Sequence, residues 1–286
     1  MVGRITRIIS NLYTVEVNNK GKISSHNCRA RGKFRNEKLI PLVGDMVRFN
    51  PDENYILEIL ERKNELSRPM ISNVDSALIV TSLKRPDLST LLLDKMIVNV
   101  SIKGIEPIIV FTKYDLLTEE EKTYIDSIID YYKKVGYKVA LNTEIDIIDE
   151  YIDGKVVVLT GQTGVGKSTL INKLLPGLDL ETNDISDALG RGKHTTRHVE
   201  LYEYKNSFIA DTPGFSSLDI VEEEKGNIRF YFPEFDNDGC KFRDCKHINE
   251  IGCKIKEDVE NNIILQSRYD NYKKMVINDE NFNINN

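Results

Sequence analysis

Over the first 66 residues, apolar and polar positions alternate in short runs, the period-two signature of strands with one buried face. Residues 4–9 (RITRII) and 12–17 (LYTVEV) are two such runs, with Ser10-Asn11 between them as a hairpin turn. Asn18-Asn19-Lys20-Gly21-Lys22 reads as a second turn, and residues 43–49 and 54–60 as further strands. Five short strands in this span predict a small Greek-key barrel of the OB type, whose face and loops commonly bind oligonucleotides.

From residue 67 the pattern changes to apolar blocks alternating with segments of helical spacing. Residues 74–81, 106–112 and 136–141 read as buried strands. Between them lie a helix over 88–100, capped by Asp87 or Ser89, and a helix over 118–132 with capping-box spacing from Thr118 to Glu121. That alternation predicts a parallel α/β sheet. Residues 156–160 add a β-branched strand, and 199–204 with 207–211 read as a hairpin. Near the end, residues 259–275 have helical spacing through Ile263, Ile264, Tyr269 and Tyr272, and the polar 278–286 should fray. The expected organisation is therefore an OB-type β-barrel over 1–66, an α/β domain over 67–222 and a C-terminal module over 223–286.

Charge modifies this picture locally. The 286 residues carry a net charge of −6, which argues against a general nucleic-acid coat. Residues 1–66, however, hold twelve Lys+Arg against eight Asp+Glu, +4, which leaves −10 on the remainder. The excess gathers at Arg29, Arg31, Lys33, Arg35 and Lys38, candidates for tracking an RNA backbone. A solvated edge that keeps the sheet from aggregating is the alternative. No apolar run reaches 18 residues, so no membrane partner is expected. Arg4 and Arg7 fall where a signal peptide needs an apolar core, so a cytoplasmic location is expected.

The densest chemistry follows the strand over 156–160. There Gly161-Gln162-Thr163-Gly164-Val165-Gly166-Lys167-Ser168-Thr169 matches G-x-x-x-x-G-K-S and leads into a helical segment, the strand–loop–helix context of a P-loop. The glycines let successive N–H groups turn inward on phosphate oxygens, Lys167 reaches the β- and γ-phosphates, and Ser168 is a Mg²⁺ ligand. Thr112-Lys113-Tyr114-Asp115 ends an earlier strand and is similar to the guanine-reading N-K-x-D element, with Thr112 in place of Asn. The Asp115 carboxylate can accept from guanine N1–H and the N2 amino group, which adenine cannot offer, and the Lys113 stem can lie over the base. After the P-loop, the polar stretch Gly190-Arg191-Gly192-Lys193-His194-Thr195-Thr196-Arg197 suits a switch closing on γ-phosphate and Mg²⁺. Asp211-Thr212-Pro213-Gly214 supplies D-x-x-G, with a carboxylate near Mg²⁺ and a glycine N–H near the γ-phosphate. Where a water-orienting Gln would follow, the chain has Phe215, so His194 is the candidate for that catalytic role; packing or RNA contact is its alternative.

Cys240-x4-Cys245-x-His247-x5-Cys253 offers three thiolates and an imidazole, a donor set for a closed, structural Zn²⁺ site. Cys28 reads as a lone buried residue.

The base-reading Asp115 lies 46 residues before Gly161, the reverse of the usual order, which implies a circular permutation. With the motifs at 161–168, 190–197 and 211–215 and the cysteine cluster, the chain resembles the RsgA (YjeQ) family of GTPases over essentially its whole length. That resemblance implies GTP hydrolysis to GDP and phosphate on the small (30S) ribosomal subunit and its 16S rRNA. It also implies a late checkpoint in subunit maturation, with release of assembly factors, by a protein expected to be monomeric. Leu141-Asn142-Thr143 stands where the family usually carries a Ser-containing base-contact loop, and no contact is assigned there. A second reading is an RNA-binding adaptor whose nucleotide site acts as a sensor with negligible turnover.

Overall fold

The structure is a computed structural model that describes residues 1–19, 22–30, 34, 39–67, 69–176, 199–211, 222–235 and 239–277. The N-terminal alternation produces β1 (Val2–Ile9), β2 (Leu12–Asn19), β3 (Lys22–Ala30), β4 (Met46–Asn50) and β5 (Tyr55–Ile59). They pair in the order β1-β2-β3-β5-β4, and β4 returns to β1, so the sheet closes into the expected barrel. The β3–β5 pair is parallel and the others antiparallel, a Greek-key arrangement. Alternate residues point inward, and Ile5, Tyr13, Val15, Val17, Cys28, Val47, Phe49 and Ile56 fill the interior. Gly3 is required by close approach, because a Cβ there would sit 2.6 Å from Val15 Cγ1 and 2.7 Å from the Glu16 carbonyl oxygen.

The hairpin β6 (Glu65–Ser67) and β7 (Met70–Ser72) links the barrel to the next layer. Asp45, fully buried at the barrel's base, takes a two-point ion pair from Arg62 and a hydrogen bond from Ser72. Leu66 and Ile71 of the hairpin pack into the α/β core rather than the barrel core.

That core surrounds β8 (Ser76–Ser82), β9 (Glu106–Thr112), β10 (Lys138–Leu141), β11 (Val156–Thr160), β12 (Glu200–Tyr204) and β13 (Ser207–Asp211), in the order β10-β9-β8-β11-β13-β12. All neighbours are parallel except the β12–β13 hairpin. Strand period two sends Val156 and Val158 to one face and Val157 and Leu159 to the other. The first face is covered by α1 (Thr90–Ile102) and α2 (Glu119–Lys134), the second by α3 (Ile145–Ile152) and α4 (Lys167–Leu174). Thr118 and Glu121 form the reciprocal capping box that opens α2. Strand β12 meets β1 at the pair Arg7 and Glu200, making one continuous eleven-stranded sheet.

The C-terminal helix expected over 259–275 is instead two helices, α5 (Lys254–Glu260) and α6 (Gln266–Ile277). Asn261 closes α5 and Asn262 takes φ 58, a left-handed conformation that ends the helix, leaving Ile263 exposed. Helix α1 is covered on two sides: Leu93, Met96, Ile97 and Val100 face the sheet, while Val98 packs in the C-terminal core with Phe232, Tyr269, Tyr272 and Met275. Among the described residues, no helix is long and apolar enough to cross a membrane.

Candidate nucleotide site and metal-ligand cluster

Parallel strands place all their C-terminal ends on one edge, where α/β folds bind ligands. Ser82, Thr112, Leu141, Thr160 and Asp211 end their strands there, so residues 112–115 and the 161–169 loop meet although half a domain of sequence separates them. The loop glycines all have positive φ: 148° at Gly161, 77° at Gly164 and 97° at Gly166. At Gly161 a Cβ would lie 2.2 Å from the Val80 carbonyl oxygen, so the loop can start there only without a side chain. Gly166 caps the N-terminus of α4 and Lys167 opens the helix, which aims unpaired helix N–H groups out of the edge. Lys167 Nζ donates to the carbonyls of Gly161 (2.8 Å) and Gln162 (2.5 Å), arching over the loop. Burial holds the Lys167 ammonium below the usual lysine range, a cost that an anion in the loop would relieve. Gln162, Thr163 and Thr169 are exposed and Ser168 half-buried in the first turn of α4.

At the end of β9, Thr112 is buried and its hydroxyl donates to the Val165 carbonyl at 2.6 Å. Lys113 adopts φ 61, and its Nζ donates to the Gly164 carbonyl at 2.7 Å and also to that of Arg85. Tyr114 turns away to Asp126 on α2, its hydroxyl donating at 2.9 Å. Asp115 follows on a single 3-10 turn, exposed and without a hydrogen-bond partner among the described residues. Beside it, Asn142 N–H donates to the Phe111 carbonyl, so the 142–144 turn abuts the same strand end. The sequence reading missed that Thr112 and Lys113 grip the P-loop; a hydroxyl at a strand end carries no local sign of its partner 53 residues away. Strand β13 ends at Asp211 beside β11. His194, Thr195, Thr196 and Gly214 lie outside the described residues.

The four sequence-predicted metal ligands do converge. The donor atoms of Cys240, Cys245, His247 and Cys253 all lie within 4.8 Å of one another. His247 Nδ1 stands 3.4 Å from Cys253 Sγ and 3.8 Å from Cys240 Sγ, edges fitting a tetrahedron with ~2.3 Å metal–sulfur and ~2.0 Å metal–nitrogen bonds. Nδ1 is the nitrogen that faces the sulfurs and is placed to ligate, while Nε2 is buried with no partner among the described residues. Burial, followed by the Cys253 and Cys240 thiols, pushes the Cys245 thiol up to about 12, so three neighbouring thiolates need a cation between them. The donor set thus fits Zn²⁺. Tyr269 and Tyr272 of α6 donate to the carbonyls of His247 (2.8 Å) and Lys246 (2.7 Å), and Arg229 to that of Cys245 (2.5 Å), which frames the cluster.

On the barrel, exposed Arg29 borders a groove of about 1060 Å³ lined by Ile9, Leu12, Tyr13, Leu39 and Ile40. Arg31, Lys33 and Arg35 lie outside the described residues.

Comparison with known proteins agrees with this architecture. The family model for the RsgA N-terminal domain matches residues 2–56, and that for RsgA GTPase matches residues 59–221. A small ribosomal subunit biogenesis GTPase RsgA from Halalkalibacterium halodurans is 48% identical over 280 residues, spanning 94% of each chain. The crystal structure of YloQ, a circularly permuted GTPase, superposes with a TM-score of 0.83 at 37% identity, covering 97% of this chain and 94% of that one. That of YjeQ from Thermotoga maritima gives 0.83 at 35% identity, covering 97% of both. With its barrel, its permuted order of nucleotide elements and its Cys3His cluster, the chain belongs to the RsgA GTPase family of GTP hydrolases.

Proposed function

We infer that this protein hydrolyses GTP to GDP and phosphate in response to the small ribosomal subunit, at a late step of that subunit's maturation that releases assembly factors. The observation that carries the reading is the grip of the base-reading strand on the phosphate loop through Thr112 and Lys113, which assembles both halves of one guanine-nucleotide site. Asp115 reads the guanine donors, the 161–169 loop cradles the phosphates, and Lys167 neutralises charge on the β- and γ-phosphates. The hydroxyl of Ser168 and Asp211, at the end of the strand beside the P-loop strand, offer the oxygen donors a hard cation prefers. With Thr195 or Thr196 they would hold Mg²⁺, which when bound draws charge off the phosphate oxygens. The Gly214 N–H would serve the γ-phosphate.

Three modules divide the work: a barrel over 1–66, a permuted GTPase domain over 67–222 and a zinc module over 223–286. The barrel's Arg29, Arg31, Lys33 and Arg35 contact 16S rRNA backbone, and a structural zinc at Cys240, Cys245, His247 and Cys253 fixes the third module. Phe215 cannot hold the attacking water, so turnover alone is slow. Subunit binding brings His194 of the 190–197 switch to orient that water. The protein acts as a monomer in the cytoplasm.

Measuring GTP turnover with and without purified small subunits tests the reading. Strong stimulation is expected, and His194→Ala should lose most of it while keeping nucleotide and subunit affinity. Equal turnover in both conditions would overturn the coupling.

A further inference from the structure

Helices α1 and α2 cover the same face of the sheet, and near their N-terminal ends they leave a groove of about 470 Å³. One wall is the 83–90 segment that leads into α1, and the other is the first half of α2. The floor is apolar, made by Leu83, Leu117, Ile125 and Ile128, all buried. On the α2 wall, Glu120, Tyr124 and Ile128 form an i, i+4, i+8 row, which rises about 12 Å along the helix, roughly two turns. Tyr124 is 65% exposed. Neither its hydroxyl nor the Glu120 carboxylate has a hydrogen-bond partner among the described residues. Lys84 pairs with Glu121 from wall to wall.

Charge around this groove is unbalanced. Residues 115–153, which hold α2, β10 and α3, carry eleven Asp+Glu against four Lys+Arg, −7, which leaves +1 on all the rest of the chain. Glu119, Glu120 and Glu121 complement the positive end of α2, but Asp126 and Asp130 lie beyond its first turn and gain nothing from that end. Asp87 adds a carboxylate on the facing wall. An apolar floor under an acidic rim restricts the occupant. A phosphate backbone is repelled, and a purely apolar segment would desolvate the rim carboxylates without pairing them. A segment with lysines or arginines beside apolar anchors satisfies both floor and rim.

We propose that this groove docks a short basic segment of a partner protein, about two helical turns long. Its apolar side chains sit on Leu83, Leu117 and Ile125, its cations face Asp87 and Glu120, and Tyr124 is the aromatic anchor at the rim. The contact is small, which suits a transient partner rather than a permanent subunit. The groove lies on the α1 and α2 face, whereas the P-loop opens α4 on the other, so the two sites are separate.

The probe is a fluorescein-labelled peptide of about twelve residues with lysine and leucine at helical spacing, followed by anisotropy on the full-length protein. Wild type should bind it, more weakly as salt rises, and an oligouridylate should not displace it. Glu120→Gln with Tyr124→Ala should raise the dissociation constant about tenfold. Glu150→Gln, at an exposed carboxylate of α3 on the other face, removes the same charge and should leave the constant within about twofold. Glu120 and Tyr124 are both exposed, so the double variant should keep the wild-type urea midpoint, and Tyr124→Ala alone carries the test if it does not. Equal losses in the groove and α3 variants would reduce the effect to a general acidic field and overturn the proposal. Unchanged affinity in the groove variants, or displacement by the oligouridylate, would overturn it too. So would a dimer in sedimentation that Tyr124→Ala dissociates, since a second copy of the chain would then cover the groove.

Discussion

Arg268 of α6 donates to the carboxylate of Asp94 in the middle of α1, across 174 residues of sequence, and both side chains are removed from solvent. Arg268 also makes a two-point pair with Glu234 and lies over the rings of Phe232 (4.3 Å) and Tyr132 (5.1 Å). Tyr132 donates to the same Asp94 oxygen at 2.6 Å and Asn271 to the other at 2.7 Å. Burial raises the Asp94 pKa, with Arg268 opposing it, while the surrounding carboxylates hold Arg268 charged against its own burial. The pair fastens the zinc module to the α/β domain.

Removing one partner leaves a buried charge unpaired. Arg268→Met should lower stability by about 3–5 kcal/mol in urea unfolding, and Asp94→Leu with Arg268→Met should recover much of that loss. A double variant as unstable as the sum of the singles would show that ring packing, not the ion pair, carries the joint.

Asp115 is exposed and has no hydrogen-bond partner among the described residues, so it is free to read a base. Asp115→Asn should weaken GTP by about 1–3 kcal/mol, roughly fivefold or more, and favour xanthine nucleotides, whose C2 carbonyl accepts from the new amide. Competition among GTP, XTP and ATP measures this. An unaltered order of preference would remove Asp115 from base reading.

The Cys3His geometry predicts one Zn²⁺ per chain, lost in Cys245→Ala together with the order of 239–253. Elemental analysis of the native protein gives the stoichiometry, and amide exchange gives the local order. Full zinc content in the variant would move the site elsewhere.

Glu106, at the opposite edge of the sheet from the nucleotide site, lies 2.7 Å from both Lys138 Nζ and Lys155 Nζ. Burial alone would raise its pKa, but the two lysine bonds and that from Ser76 hold it below the usual carboxylate range. Its stabilisation is therefore present above the unfolded value and lost as pH falls through the lower folded one. The side chain is 40% exposed, so the contribution is small, about 1 kcal/mol or less. The stability gap between wild type and Glu106→Gln should be constant from pH 7 to 5 and shrink below about pH 4.5. A gap independent of pH down to 3.5 would leave the lysine pairs without effect.

The legible parts of the chain carried local periodicity or dense motifs. The barrel strands showed their period of two, and the P-loop glycines and cysteine spacing named their own chemistry. Helix α3 was missed: its eight residues include three carboxylates and bury only Ile148 and Ile152. Asp94 gave no hint of its partner, because its burial depends on a helix from the far end of the chain. The split between α5 and α6 was hidden for a similar reason: Ile263 and Ile264 continue the helical spacing while Asn262 turns the backbone.

The permuted strand order also sets how the chain can assemble as it is made. Strands β8, β9 and β10 emerge first, yet the central β11 that pairs with β8 arrives about 75 residues after β8, and every residue of β8 is buried in the finished protein. Until the ribosome has released residues 156–160, the half made of β8, β9 and β10 exposes an unpaired apolar strand edge of the kind that invites wrong partners. The P-loop strand therefore closes the sheet as well as carrying the phosphate site, and the nucleotide site cannot form before that edge is sealed.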